Sequence, residues 1–278
     1  MLKQRVITAV ILLLFSLPAL FHPSPLWLVV IGVLLISAAS WEWGRLNDLG
    51  FASAFVMPAI CLVLFLSYWF WHHYLLGSKL YWLICIGIWF CTIIFYLKNG
   101  SPRWKSTPKL CRLGLGIFLL ISTGLALLQA KLIGTGFLIS VLLLVWTADI
   151  AAFFVGRRWG RHKLAPSISP GKSVEGLVGA VLAVWLLALA WITASNYLIF
   201  EHDSIFLRLF AFGWPALLLG LSVLTLTSAA GDLFESMIKR AAGVKDSSQL
   251  LPGHGGVLDR LDALLPVLPL AVLISMFR

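Results

Sequence analysis

The sequence predicts an all-α polytopic integral membrane protein of about nine transmembrane helices with its N-terminus in the cytoplasm. Composition comes first: of 278 residues, 60% are hydrophobic and only 12% charged. A soluble domain carries about a quarter charged residues, and a chain this apolar in water would expose aggregating patches. Lipid is the solvent that suits such a surface. The second observation is a series of apolar runs near the roughly 20 residues needed to cross the hydrocarbon core. They cover 6–22, 25–44, 52–71, 80–97, 113–130, 132–155, 174–195, 207–231 and 257–277. Helices are the expected form, because lipid offers the backbone no hydrogen-bond partner.

The third observation is the distribution of basic residues. The first run follows Lys3 and Arg5, and no small-residue cleavage site separates it from the second. An uncleaved first helix is expected. With that N-terminus inside, only Lys79, Lys131, Arg208 and Arg278 of the 21 basic residues fall outside, in agreement with the positive-inside rule. The net charge of +10 therefore faces anionic headgroups, and nucleic acid is not an expected partner. Cys61, Cys85, Cys91 and Cys111 lack CxxC spacing and read as small buried hydrophobes rather than a zinc site.

The acids obey no such rule, yet they also gather inside. Glu42, Asp48, Asp149, Glu175, Asp232, Glu235, Asp246, Asp259 and Asp262 lie on the cytoplasmic side, and Glu201 and Asp203 outside. Several sit at the ends of apolar spans, where a carboxylate costs about 2.5–3.5 kcal/mol on insertion scales. Loops 98–112, 156–173 and 236–256 are the polar stretches long enough to build a site. There is no fixed-period repeat. A single membrane domain over 1–278 is expected, with N-terminal helices over 1–130 and the chemistry over 131–278.

Asp232, Glu235 and Ser236 share one helical face at i, i+3 and i+4. Lys239, four residues after Glu235, is a structural ion-pair partner or a substrate ligand. Thr227–Gly231 is small and polar, which suits close helix packing. Pro252-Gly253-His254-Gly255-Gly256 cannot be a helix interior and admits close backbone approach. A helix is expected to start near Val257, with free N–H groups that favour an anion. Asp259 and Asp262 share a face of that helix, where acids also stabilise an N-terminus. Carboxylates with phosphate oxygens are the usual Mg²⁺ ligand set, and neighbouring Lys239, Arg240 and Arg260 suit a polyphosphate.

The stretch SMIKRAAGVKDSSQLLPGHGGVLDRLD, Ser236 to Asp262, resembles the signature of the phosphatidate cytidylyltransferases, the CDP-diacylglycerol synthases. It matches at Ser236, Lys239, Arg240, Lys245, Asp246, Pro252, His254, Gly255, Gly256, Asp259, Arg260 and Asp262. Upstream, Asp149 to Arg157 and the Ser169–Gly176 stretch SPGKSVEG resemble two further family elements; Ser173 stands where Thr is more typical. The resemblance covers motifs over roughly 145–265, and the first 100 residues match only as hydrophobic spans. Gly171-Lys172-Ser173 is similar to the end of a P-loop, but Pro166 stands where that motif needs Gly and no preceding strand is expected. The DG-x₂-AR string of the CDP-alcohol phosphotransferases is absent.

The resemblance implies transfer of a cytidylyl group from CTP to phosphatidate. It implies Asp232 and Asp259 as metal ligands, Mg²⁺ as the ion and K⁺ as a second cation. Asp262 and Asp149 are outer ligands or orienters. Lys172, Lys239, Arg240 and Arg260 bind phosphates, with Ser169, Ser173, Glu175, His254, Gly255 and Gly256 as further substrate contacts. His254 donates to the triphosphate or braces its turn. A CTP-dependent lipid-alcohol kinase and, in a different class, a cation-coupled transporter are the competing readings. The expected partners are CTP, phosphatidate and membrane lipid. A homodimer stays open. The expected location is the bacterial inner membrane, with the site facing the cytoplasm.

Overall fold

The computed structural model describes residues 2–75, 77–195 and 203–277. Glu201, Arg278 and the side chains of Lys3 and Arg5 lie outside the described residues. The order of elements is α1 (Leu2–Phe21), α2 (Leu26–Leu46), α3 (Val56–Leu75), α4 (Lys79–Ser106), α5 (Lys109–Ile133) and α6 (Thr135–Trp159). A hairpin of β1 (Lys163–Ala165) and β2 (Ser169–Ser173) follows. Then come α7 (Val174–Ala194), α8 (Ile205–Phe210), α9 (Trp214–Ala242), α10 (Leu258–Leu261) and α11 (Leu264–Ser275).

Among the described residues, six of these helices, α2, α4, α5, α6, α7 and α9, are long and apolar enough to cross a membrane. The other expected spans coincide with α1, with α3 and with α10 plus α11. The last differs most from expectation. It breaks at Asp262–Ala263, because Pro266 lacks the N–H that would bond back to the Asp262 carbonyl. The 12-residue α11 is about 18 Å long, short of the hydrocarbon core. It is buried along nearly its whole length against α4, α5 and α9. A break is tolerated at that depth because protein, not lipid, surrounds it.

Local sequence explains most boundaries. Ser78 and Ser204 cap α4 and α8 by accepting the N–H of Tyr81 and Leu207, satisfying donors that a helix start leaves open. Gly100, at φ 71° with Pro102 behind it, kinks α4; the expected loop 98–112 is therefore mostly helix. Gly213 at φ 91° separates α8 from α9, and Gly243 in the left-handed region closes α9. The chain is helical as expected, and the loop over 156–173 adds one short antiparallel hairpin that pairs Lys163 with Ser173. A short strand does precede Gly171, against expectation, but it pairs antiparallel in a hairpin and builds no P-loop.

The core beside the site is aromatic. Trp43, Trp82, Trp89 and Trp104 are fully buried. The indole N–H of Trp43 reaches the Arg112 carbonyl at 2.9 Å, that of Trp104 reaches Asn47 Oδ1 at 3.0 Å, and that of Trp89 reaches Ser122 at 3.3 Å. Buried indoles need such partners. Cys61 and Cys85 are buried as expected, whereas Cys91 and Cys111 are exposed on helix faces with no protein neighbour to cover them. Leu14, Phe15, Leu34, Leu186 and Leu219 also point outward, as lipid-facing side chains do.

The two ends of the bundle differ chemically. At one end Thr8 of α1 donates to the Pro252 carbonyl, and Arg112 pairs with Asp48. At the other, Lys131 donates to the Leu20 carbonyl, and Arg208 pairs with Asp203 and donates to the Ser275 carbonyl. The acids that the sequence assigns to one side thus sit at one end.

Candidate active site

The site begins on α9. At Gly231 an added Cβ would lie 2.6 Å from the Asp262 carbonyl oxygen and 2.8 Å from Pro266 Cγ. Only glycine lets α9 approach the α10–α11 break this closely. The next turn of α9 carries the acids. Asp232 Oδ2 pairs with Lys172 Nζ at 2.5 Å, and its Oδ1 accepts from Ser236 at 3.2 Å. Glu235, nearly fully buried, pairs with Lys239 one turn on. Lys239 also reaches Asp259 Oδ1 at 2.5 Å, so this one ammonium bridges two helices. These three carboxylate–lysine pairs reduce the cost of charge at this depth.

The loop between α9 and α10 folds around two carboxylates. Asp259 Oδ2 accepts from Ser247 N, Ser247 Oγ and Gly256 N at 2.8–2.9 Å. Glu42, completely buried on α2, takes the rest. Its Oε1 accepts from Ser248 Oγ at 2.5 Å and Val257 N at 2.9 Å. Its Oε2 accepts from Leu258 N at 2.7 Å and lies 3.0 Å from Ser247 Oγ, whose one proton it shares with Asp259. The loop is so tight that a Cβ on Gly256 would sit 2.0 Å from Ser247 Oγ and 2.5 Å from Glu42 Oε1. Gly255, at φ 84°, adopts a conformation that other residues rarely take.

This network corrects one expectation. The N–H groups at the start of the last helix do not stand free for an anion; Asp259 takes that of Gly256, and Glu42 takes those of Val257 and Leu258. With α10 only four residues long, its dipole is also small. Glu42 was counted in the sequence only as one more acid on the site side. It lies more than 200 residues from its partners, so no local spacing could reveal its role.

The third wall is α6 with the hairpin. Asp149 lies within electrostatic reach of Asp232 and Lys172, and Asp262 within reach of Asp232, Glu235 and Lys239. Lys172 on β2 additionally donates to the Ala229 carbonyl at 3.4 Å. The structure therefore brings together Asp149, Lys172, Asp232, Glu235, Lys239, Asp259 and Asp262. Other expected contacts serve the frame. Ser173 is buried and caps α7 by accepting the Gly176 N–H at 3.1 Å. Glu175 braces the turn by accepting from Arg161 N, His162 N and His162 Nδ1. Arg240 donates to the carbonyls of Ile168 and Val244, and Arg260 to that of His254. His254 Nδ1 is buried with no hydrogen-bond partner among the described residues. Ser169 lies on β2 near Lys172, half-buried.

Among the described residues, no three His, Cys, Asp or Glu side chains converge closely enough to hold a metal ion by themselves. Asp232 and Asp259 instead each hold a lysine ammonium. The chemistry of the cluster is nonetheless that of hard oxygen donors beside paired cations. Such a donor set fits a divalent ion that takes one or two carboxylates and completes its shell with phosphate oxygens and water.

A model of the cytidylyltransferase family matches residues 3–277. This chain belongs to the cytidylyltransferase family. A protein of Pseudomonas aeruginosa named phosphatidate cytidylyltransferase is 36% identical over 279 residues, covering 97% of this chain and 95% of that relative. Its namesake in Haemophilus influenzae is 35% identical, with 97% and 96% covered. A third, from Staphylococcus saprophyticus, is 31% identical, with 97% of each chain covered. Family membership thus extends over the N-terminal helices as well as the motif-bearing half.

Proposed function

We infer that this cytidylyltransferase-family chain transfers the cytidylyl group of CTP to phosphatidate, giving CDP-diacylglycerol and pyrophosphate. The observation that carries the reading is the convergence of five carboxylates and two lysines from α6, β2, α9 and α10 at one end of an apolar bundle. The near full-length similarity to relatives named phosphatidate cytidylyltransferase supports it. A phosphatidate oxygen forms a bond to the α-phosphorus of CTP, and the bond from that phosphorus to the bridging oxygen breaks. The second pKa of a phosphate monoester is about 6, so the nucleophile is already anionic near neutral pH. No Ser-His-Asp relay is needed. The barrier lies in bringing two anions together, and fixed charge with alignment lowers it.

Lys172 and Lys239 are the phosphate-binding groups in this reading. Lys172 pairs with Asp232, and Lys239 with Glu235 and Asp259; phosphate oxygens compete for the same ammonium groups. Asp232, with Asp262 or Asp259, would hold Mg²⁺; K⁺ is the proposed second cation. When bound, the divalent ion neutralises phosphate charge. Asp149 orients Lys172. Glu42, Ser247 and Gly256 keep Asp259 in register. The site faces the cytoplasm of an inner membrane in this reading, which the gathering of basic residues at the same end supports.

The test is purified protein supplied with CTP and phosphatidate, with and without a chelator. Release of CDP-diacylglycerol with equimolar pyrophosphate, abolished by the chelator and restored by Mg²⁺, is the expected result. Formation of CDP and phosphatidate when diacylglycerol replaces phosphatidate, with no CDP-diacylglycerol from phosphatidate itself, would overturn the reading.

A further inference from the structure

A cavity of about 300 Å³ lies beside α10 and the start of α11, and no described residue of α9 lines it. Its walls come from α1, α2, α5, α6, the end of α10 and the start of α11, and they are almost wholly aliphatic. Of its two hydroxyls, Ser16 and Thr123, that of Thr123 lies 2.8 Å from both the Leu119 and the Leu265 carbonyl oxygens and shares its one proton between them. Leu13 and Leu17 of α1 and Trp146 of α6 line it while remaining about half exposed. The cavity therefore opens sideways onto the lipid-facing surface. Its volume lies at the small end of the roughly 300–1,000 Å³ of ligand pockets.

The α6 wall connects this cavity to the charged cluster. Leu138, Leu142 and Trp146 line it at i, i+4 and i+8, one face of the helix. Asp149 continues that face one turn nearer the site end, where it meets the charges of Lys172 and Asp232. Leu261 and Leu264 flank Asp262 from the opposite wall. A molecule with a phosphate at Lys172 would thus lead one chain down the Trp146–Leu142–Leu138 face toward the bundle's middle. Lipid phosphate and acyl chain fit this juxtaposition as a free nucleotide does not.

Resting on the cytidylyltransferase reading for the headgroup, we propose that this cavity is the socket for one acyl chain of the phosphatidate substrate and sets its chain-length preference. Gly32 supplies the means to test it. It lines the cavity, and an added Cβ meets only Leu127 Cδ2 at 3.6 Å, so a larger side chain there projects into open space. Gly32→Phe blocks the cavity from α2, and Leu142→Trp blocks it from α6.

Turnover is measured with dioleoyl and with dihexanoyl phosphatidate at saturating CTP. Labelling by phosphatidate carrying a mid-chain diazirine is mapped in parallel. Both variants are expected to lower kcat/KM for the dioleoyl lipid at least tenfold while changing that for the dihexanoyl lipid less than twofold. Wild-type adducts are expected on 13–20 and 138–146 and are lost in the variants. An unchanged ratio of the two lipids in both variants, with wild-type labelling elsewhere, overturns the socket and leaves the transfer reaction standing. Wild-type labelling at these residues without any CTP turnover supports the socket and overturns the reaction instead.

Discussion

Glu42→Gln is the substitution that tests the frame of the site most directly. The carboxylate accepts four hydrogen bonds, two from the hydroxyls of Ser247 and Ser248 and two from the backbone N–H groups of Val257 and Leu258. A glutamine amide keeps one acceptor oxygen and turns the other into a donor. The hydroxyl facing that donor can rotate and accept. The backbone N–H beside it cannot, and it is left buried and opposed by another donor. An orphaned buried donor costs about 1–3 kcal/mol, and Glu42→Ala, which orphans both N–H groups, costs about 2–6 kcal/mol by the same reckoning. Thermal unfolding in detergent should fall by several degrees for Gln and further for Ala. Amide exchange over 246–258 should accelerate more than exchange in α5. Turnover should fall with it, because Ser247 links Glu42 to Asp259 through one hydroxyl. A Gln variant with wild-type melting, exchange and turnover would refute the assignment of Glu42 as the clamp of this loop.

Three further outcomes are expected. Gly256→Ala drives a Cβ to 2.0 Å from Ser247 Oγ and 2.5 Å from Glu42 Oε1; overpacking of this kind costs about 1–3 kcal/mol, read as a lower melting temperature together with lost turnover. Asp259→Asn weakens the link to Lys239 and should reduce turnover by roughly a hundredfold or more with helix content by circular dichroism unchanged; near-wild-type activity would remove Asp259 from the site. Lys105→Ala alters an exposed residue in the last turn of α4, away from the acid cluster, and should leave kcat/KM within about twofold, surface changes of this sort being worth about 0.5 kcal/mol or less.

The six long apolar helices and the gathering of Asp149, Lys172, Asp232, Lys239, Asp259 and Asp262 at one end were legible in the chain. Hydropathy and charge act over single helices, so they leave a local record. The ion pair of Glu235 with Lys239 was legible for the same reason, being one helical turn long. The break before α11 was not, because an apolar run of 21 residues reads as a span whether lipid or protein encloses it. The hairpin over 163–173 was also hidden, since two strands of three and five residues carry too little periodicity to register.

The sequence by itself determined that this protein lives in lipid and holds most of its acids at one end, because burial of charge in hydrocarbon is penalised residue by residue. Its motifs also pointed to the family. Only the tertiary structure decided which groups stay available for substrate. The loop N–H groups that looked free belong to Glu42 and Asp259. Ser173 and Glu175 belong to the hairpin and its turn. An unpaired donor in a buried loop must find an acceptor wherever the fold brings one, and here α2 brings it from more than 200 residues away.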